Sequence, residues 1–88
     1  IEALVDAGVY LGLPRDMAQV LAMQTTIGSA TLAQQSGKHT AVLRDMVTSP
    51  GGTTAEALLA LEEGGFRGIL INAVVAAYEK AITLGERD

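Results

Sequence analysis

The chain has 88 residues, no cysteine, and a formal net charge of −4 from ten acidic and six basic side chains. The lack of a basic run and of stacking aromatics argues against nucleic acid as a ligand, and the missing cysteines exclude disulfides, thiol catalysis and thiolate metal sites. A cysteine-free chain fits a reducing compartment, so we expect a cytoplasmic protein. A single domain of this length buries only about two-thirds of its unfolded surface, so we expect a partner to cover further apolar surface.

The first two predicted helices cover residues 1–10 and 14–35. Gly12 is suited to end the first helix, and Pro14 is suited to the first turn of the second. The second helix is the longest, and small residues interrupt its apolar stripe. Because small side chains let another backbone approach closely, we expect neighbouring helices to cross it tightly there. These small residues are Gly28, Ser29 and Ala30.

Three more helices are predicted over residues 40–47, 54–63 and 66–84, with Thr40 as N-cap of the first of them. The last is apolar around most of its circumference, which is typical of a helix surrounded on several sides. No run of alternating β-branched residues bounded by turns occurs. The sequence therefore predicts an all-α fold, a bundle of about five helices that forms a single domain over residues 1–88.

The longest uncharged stretch, residues 17–37, raises the question of a membrane span. It contains nine Gln, Ser and Thr residues, which make it too polar to cross a bilayer, so we expect no membrane partner. The chain has no initiating Met and opens inside a helix-like segment, from which we expect a piece of a longer protein.

The stretch DMVTSPGGTTAEALLALEEGG, residues 45–65, concentrates turn-forming residues in a chain rich in Ala and Leu. Pro50 presets the second position of a type II turn, and Gly51 supplies the positive φ that the third position requires. The next residues match a capping box, with Thr53 as N-cap and Glu56 reaching back to its backbone. We therefore predict a type II turn that leads directly into a capped helix.

A glycine-rich turn before a helix leaves backbone N–H groups pointing into a small concavity that attracts anions. The hydroxyls of Ser49 and Thr54 lie beside it in sequence. The pattern is compatible with a site for a small carboxylate or phosphate, although a turn and a cap without any ligand is the commoner case. A Walker pattern and a G-x-G-x-x-G fingerprint are both absent, so we expect no nucleotide or dinucleotide to bind to this chain alone.

The same stretch, with the helix that follows it, resembles the C-terminal helical dimerisation domain of pyrroline-5-carboxylate reductase. The residues that carry the resemblance are LRDMVTSPGGTTAEALLALEEGGFRGILINAVVAAYEKA, and DAGVYLGLPRDMA and SGKHTAVLRDMV resemble upstream segments of the family. The sequence departs from the family at Thr40, where Pro is common after His39, and at Arg44, where Lys is frequent. Neither departure touches the candidate site.

The resemblance implies an N-terminal Rossmann domain outside this chain, which binds NADH or NADPH, and a homodimer whose helical domains interlock. The substrate implied is a small cyclic imino acid that is reduced to proline. Carried over by position, Ser49, Gly51, Gly52 and Thr53 hold the substrate carboxylate. Thr54 places its hydroxyl near the ring nitrogen and is the candidate catalytic residue, with an orienting role.

Two other functions stay open at this point: a helical interaction module without ligand, and the helical domain of another Rossmann-type dehydrogenase, such as a 3-hydroxyacid enzyme. The order Ser-Pro-Gly-Gly-Thr-Thr speaks against the second. His39 is the single histidine and is expected at the surface or as a cap, so no metal site is predicted.

Further expectations concern side chains outside the candidate site. Asn72 lies in an apolar run, where a hydrogen bond across the bundle or a register-setting contact in a dimer is expected. Glu62 and Glu63 are expected at a solvated helix end. Arg44 and Asp45 are expected either to form a local ion pair or to line the cofactor side of the site. The three methionines, Met17, Met23 and Met46, are expected to fill the core.

Overall fold

The computed structural model describes residues 1–86, which form five α-helices and no strand. The all-α prediction is confirmed, and every helix boundary lies within two residues of its predicted place. The helices are α1 (Glu2–Tyr10), α2 (Arg15–Ser36), α3 (Thr40–Val47), α4 (Thr53–Glu63) and α5 (Phe66–Glu86). The chain divides into two compact units, Ile1–Asp45 and the residues from Met46 onward, with the boundary inside α3.

The first unit is built around the α1–α2 helix pair. Its small core consists of Val5, Ala18 and Ala22, against which Val9 and Leu13 pack while remaining partly exposed. Core residues this small allow the two helices to approach each other closely. The hydrophobic stabilisation from so few buried side chains is correspondingly modest.

Gly8 is a point of close approach between α1 and α2. A Cβ atom added at Gly8 would lie 3.0 Å from the Cβ of Ala18 and 3.4 Å from Cδ1 of Leu13. The connection between the helices begins beside it, where the N–H of Leu13 donates to the carbonyl oxygen of Gly8 over 3.0 Å. Gly12 adopts a φ of 107°, which confirms the predicted stop after α1.

The remainder of α2 has few neighbours in the described chain. Val20 is 62% exposed and Ile27 is 51% exposed, and no atom lies within 4 Å of the position that a Cβ of Gly28 would take. The tight crossing predicted at the small residues is therefore wrong within residues 1–86. The sequence pattern predicted the apolar positions correctly, but no element within residues 1–86 buries Val20 or Ile27.

The second unit contains α4 and α5, which pack against each other across the turn at Gly64 and Gly65. Gly65 has a φ of 74°, which allows the sharp turn between the two helices. Arg67 Nε donates to Glu62 Oε1 over 2.9 Å and so joins the two helix ends at the surface. The expectation of a solvated helix end at Glu62 and Glu63 is confirmed, since both side chains are exposed.

The surface of α5 is unusually apolar for a helix with no buried residue. It is 21 residues long, has a mean hydropathy of 1.3 over its most apolar window, and by length and composition alone would be able to cross a membrane. A soluble protein's core helix meets the same criterion. Residues 17–37, the stretch considered above as a span, do not include this helix.

Three polar residues of α5 lie along one side. Asn72, Glu79 and Thr83 are separated by about two and three helical turns and therefore share a face. Asn72 is exposed, and no hydrogen bond of its side chain is found among residues 1–86. The hydrogen bond across the bundle predicted for this amide is therefore wrong within the described chain, and a contact in a dimer stays a prediction.

The three methionines do not fill a core in this chain. Met17, Met23 and Met46 are exposed to 50%, 46% and 65%. Their predicted role is wrong within residues 1–86. The reason is that the helix faces carrying them have no covering element, so flexible apolar side chains suited to packing lie at the surface.

Candidate functional site

The turn before α4 has the predicted type II geometry. The N–H of Gly52 donates to the carbonyl oxygen of Ser49 over 3.0 Å, which closes the four-residue turn around Pro50 and Gly51. Gly51 has a φ of 69°, the left-handed value that the third position of such a turn requires. The turn prediction is therefore confirmed, and glycine is needed at this position for its backbone conformation.

The predicted capping box is wrong. Gly52, in an extended conformation with φ −83° and ψ 174°, is the N-cap of α4, and no side chain caps the helix. The N–H of Glu56 donates to the carbonyl oxygen of Gly52 over 3.2 Å, so the helix begins one residue earlier than the box requires. The third helical position falls on Ala55, which has no carboxylate to reach back.

The uncapped start changes which groups an anion would meet. In an α-helix the N–H groups of the first turn have no acceptor within the helix, and here they belong to Thr53, Thr54 and Ala55. The N–H of Gly52 is already donated to Ser49. The donors left for a ligand are thus the helical N–H groups, reinforced by the positive end of the helix dipole.

Ser49 and Gly52 are in close contact within the turn. A Cβ atom built on Gly52 would collide with Ser49 Oγ and would lie 3.2 Å from the carbonyl oxygen of Ser49. The serine hydroxyl therefore lies beside the Cα of the N-cap residue. It is held close to the same helix start that presents the unpaired N–H groups.

The structure brings all five predicted site residues together in this one turn and helix start. Ser49, Gly51 and Thr53 are exposed, whereas Gly52 and Thr54 are half-buried. An exposed cluster of hydroxyls and N–H groups can bind a small carboxylate by hydrogen bonds. Among the residues that supply hydroxyls, Thr54 is less exposed than Ser49 and Thr53.

An apolar groove of about 420 Å³ lies between α4 and α5, away from this turn. No sequence motif marks this groove, because it arises from the angle between two helices. Its walls combine apolar side chains with the Glu62–Arg67 ion pair at the surface. The lining residues are Leu58, Leu61, Glu62, Phe66, Arg67, Leu70 and Ile71.

His39 acts as a cap rather than as a ligand. Its Nδ1 atom accepts a hydrogen bond from the N–H of Ala41, and its carbonyl oxygen accepts from the N–H groups of Val42 and Leu43. The predicted surface or capping role is confirmed, whereas Thr40 is the first helical residue and not the predicted N-cap. In the part of the chain that the structure describes, no group of three acidic or imidazole side chains is arranged to hold a metal.

Arg44 and Asp45 lie just before the candidate site and are joined by an ion pair of 3.8 Å between Arg44 Nε and Asp45 Oδ1. Of the two alternatives for this pair, the local ion pair is the one observed. The Asp45 side chain is 77% exposed, so the pair contributes little to stability.

Nearly the whole sequence matches one protein family. Residues 1–84 match the model of the family described as pyrroline-5-carboxylate reductase dimerisation. The chain belongs to this family. The resemblance seen in the SPGGTT stretch is thereby confirmed, and the all-α fold with its apolar α5 is that of a dimerisation domain of pyrroline-5-carboxylate reductase.

Individual members of the family are similar to this chain over most of its length. The chain is 59% identical over 81 residues to pyrroline-5-carboxylate reductase of Pisum sativum, covering 92% of this chain and 30% of the relative. It is 46% identical over 86 residues to the Escherichia coli enzyme of the same name, covering 98% of this chain and 32% of the relative. The chain thus spans about a third of the length of the reductases it matches.

A solved structure extends the agreement to three dimensions. Plasmodium falciparum pyrroline carboxylate reductase, determined with NADP bound, superposes with a TM-score of 0.87 at 43% identity. The match covers 90% of this chain and 32% of that one. Similarity at this level supports the arrangement of the helices described above.

Proposed function

We propose that this chain is the dimerisation and substrate-carboxylate part of a pyrroline-5-carboxylate reductase that reduces 1-pyrroline-5-carboxylate to L-proline with NADH or NADPH. The observation that carries the proposal is the type II turn at Ser49–Gly52 leading into the uncapped start of α4. This is the kind of anion site that a substrate with one carboxylate requires. The reaction would be the last step of proline biosynthesis, in the cytoplasm.

The substrate carboxylate binds at the start of α4. The N–H groups of Thr53 and Thr54 and the hydroxyl of Ser49 supply hydrogen bonds to its oxygens. Gly51 contributes the positive φ of the turn that exposes these donors, and Gly52 is the N-cap residue at which the helix starts. The N–H of Gly52 is donated within the turn, so its part differs from the direct contact that the resemblance implied.

Thr54 orients the ring of the substrate. With the carboxylate fixed at the helix start, its hydroxyl lies within reach of the ring nitrogen, to which it donates or from which it accepts a hydrogen bond. A threonine hydroxyl has no useful acidity near neutral pH, so the proton that the nitrogen gains comes ultimately from water. The contribution of the protein is to hold the C=N bond in one orientation and to exclude bulk water.

The nicotinamide supplies the hydride, and its binding site belongs to the part of the reductase that this chain does not cover. Residues 1–86 contain no glycine fingerprint after a strand with which to bind a dinucleotide. The preference for NADH or NADPH is set in that other part of the enzyme. The reaction therefore requires both parts of the reductase, one that binds the cofactor and this chain, which binds the substrate carboxylate.

The partner of this chain is a second copy of itself. The α4–α5 groove and the apolar surface of α5 are accessible in one chain, and we expect the second copy to cover them. Because α5 is apolar around most of its circumference but carries a polar stripe of Asn72, Glu79 and Thr83, it suits burial against other helices better than a lipid environment on all sides. No membrane and no nucleic acid are part of the proposed function.

Static light scattering of the chain tests the self-association. A mass of two chains or a multiple of it, with a melting temperature that rises with protein concentration, is expected. A folded monomer at every concentration would contradict the proposed dimer core. A helical module without ligand would still dimerise, so this measurement alone does not establish the substrate site.

The substrate site is tested in the complete reductase by steady-state kinetics with 1-pyrroline-5-carboxylate. L-Proline, which has the same carboxylate and ring, should raise the melting temperature in proportion to the logarithm of its concentration above the dissociation constant. Pyrrolidine, the same five-membered amine ring without the carboxylate, is the matched control and should have no such effect. Equal effects of the two compounds would contradict carboxylate binding at the start of α4.

A further inference from the structure

Two adjacent glycines of the candidate site are required for different physical reasons. Gly51 has a positive φ, so any other residue there would be strained, and no atom lies within 4 Å of the position of its missing Cβ. Gly52 has φ −83° and ψ 174°, values that every L-residue adopts readily. Backbone conformation therefore explains the first glycine and leaves the second unexplained.

Helix capping explains Gly52 only in part, because glycine is a common N-cap but offers no side-chain hydrogen bond. It is the N-cap of α4, a position where Ser, Asn or Asp would add a side-chain hydrogen bond to the first turn. The atom that a side chain at this position would meet first is Ser49 Oγ, followed by the carbonyl oxygen of Ser49 at 3.2 Å. What glycine preserves here is the place of the serine hydroxyl.

We propose that Gly52 is a positioning residue, whose missing side chain lets the Ser49 hydroxyl lie against the start of α4, where the substrate carboxylate binds. The inference rests on the proposed function of this turn. A serine side chain has one torsion about which it can move its hydroxyl, so a Cβ at Gly52 would displace the hydroxyl rather than unfold the turn. The carbonyl oxygen of Ser49 would need to shift only slightly.

The inference is tested with a double-mutant cycle in the complete reductase. Ser49→Ala removes the hydroxyl, and Gly52→Ala displaces it, so each single change should raise KM about tenfold or more, the usual effect of losing a hydrogen bond to a charged group, with a smaller change in kcat. In the double variant there is no hydroxyl left to displace. Its KM should therefore be close to that of Ser49→Ala and far below the product of the two single effects.

Gly51→Ala provides the matched control. Its cost arises from the positive φ and does not involve the Ser49 hydroxyl, so its effect on KM should be the same with and without Ser49→Ala. Merely structural damage by Gly52→Ala would show this same independence. Non-additivity at Gly52 together with additivity at Gly51 is the expected result.

The outcomes separate the inference from the function on which it rests. A wild-type reductase without activity on 1-pyrroline-5-carboxylate would overturn the proposed function, and this inference with it. An active wild type in which Gly52→Ala leaves KM unchanged, or raises it by the same factor with and without Ser49, would overturn the inference alone. A crystal structure of Gly52→Ala with the Ser49 hydroxyl in its original place would do the same.

Discussion

The backbone N–H of Ala41 donates a hydrogen bond of 3.0 Å to Nδ1 of His39, and this contact begins α3. Histidine is an uncommon N-cap, because Ser, Thr, Asp and Asn present a side-chain oxygen more directly. Nδ1 can accept only when it carries no proton, so the proton of the neutral ring must be on Nε2. The single histidine of the chain thus has a structural role as the N-cap of α3.

His39→Ala should destabilise the chain by about 1 kcal/mol, the usual cost of losing a helix cap. His39→Asn should retain most of the stability, because the amide oxygen of Asn can accept the same hydrogen bond. Guanidinium denaturation followed by circular dichroism measures the difference. Equal stability of the Ala and Asn variants would show that the contact with Ala41 has no energetic importance.

Gly8→Ala should destabilise the α1–α2 pair by roughly 1–3 kcal/mol, the cost of an additional methyl group in a packed contact. The new Cβ would lie 3.0 Å from that of Ala18, closer than two carbon atoms pack comfortably. Combining it with Ala18→Gly removes the opposing methyl group. In thermal melts, Gly8→Ala should therefore cost less in the Ala18→Gly background than in the wild type, and an unchanged cost would contradict this packing.

Local patterns predicted the helices well and their beginnings less well. Periodicity and the glycine and proline positions placed five helices, because these signals act within a few residues of each other. The sequence predicts Thr40 and Thr53 as N-caps. In the structure, Thr40 is instead the first residue of α3 and Thr53 the first residue of α4. A threonine near a helix start can be either the N-cap or the first helical residue. Here the N-cap positions belong to the preceding residues, His39 and Gly52.

The core was the least predictable part, for a physical reason. Apolar stripes on α2 and α5 identify surfaces suited for burial but not the molecule that buries them. Within residues 1–86 only Val5, Ala18 and Ala22 are buried, whereas Leu70 is 54% exposed. The sequence motif SPGGTT was more informative about the site, because turn geometry depends on adjacent residues and not on a partner.

Thr54→Val should lower kcat of the complete reductase about tenfold or more, since valine keeps the shape of threonine and removes the hydroxyl that orients the ring nitrogen. Thr54→Ser keeps a hydroxyl and should restore most of the activity. Steady-state kinetics gives kcat and KM for each variant, and light scattering should show an unchanged oligomeric mass. An active Thr54→Val enzyme with wild-type constants would remove this residue from the proposed site.

A carboxylate introduced on one side of α5 should dissociate the dimer, whereas the same carboxylate on the other side should leave it intact. Val74 and Asn72 are two residues apart and therefore lie on roughly opposite sides of the helix. Val74 is 63% exposed in one chain, so Val74→Glu costs little in a monomer. If a second copy covers that side, the buried carboxylate costs several kcal/mol and the dimer dissociates.

Asn72→Glu adds the same charge on the side that carries Glu79 and Thr83, where solvent can hydrate it. Light scattering should therefore give half the wild-type mass, or a strongly concentration-dependent one, for Val74→Glu and an unchanged mass for Asn72→Glu. Circular dichroism verifies that both variants remain helical. Dissociation by Asn72→Glu alone would place the dimer contact on the polar side and support a role for the Asn72 amide between the two copies.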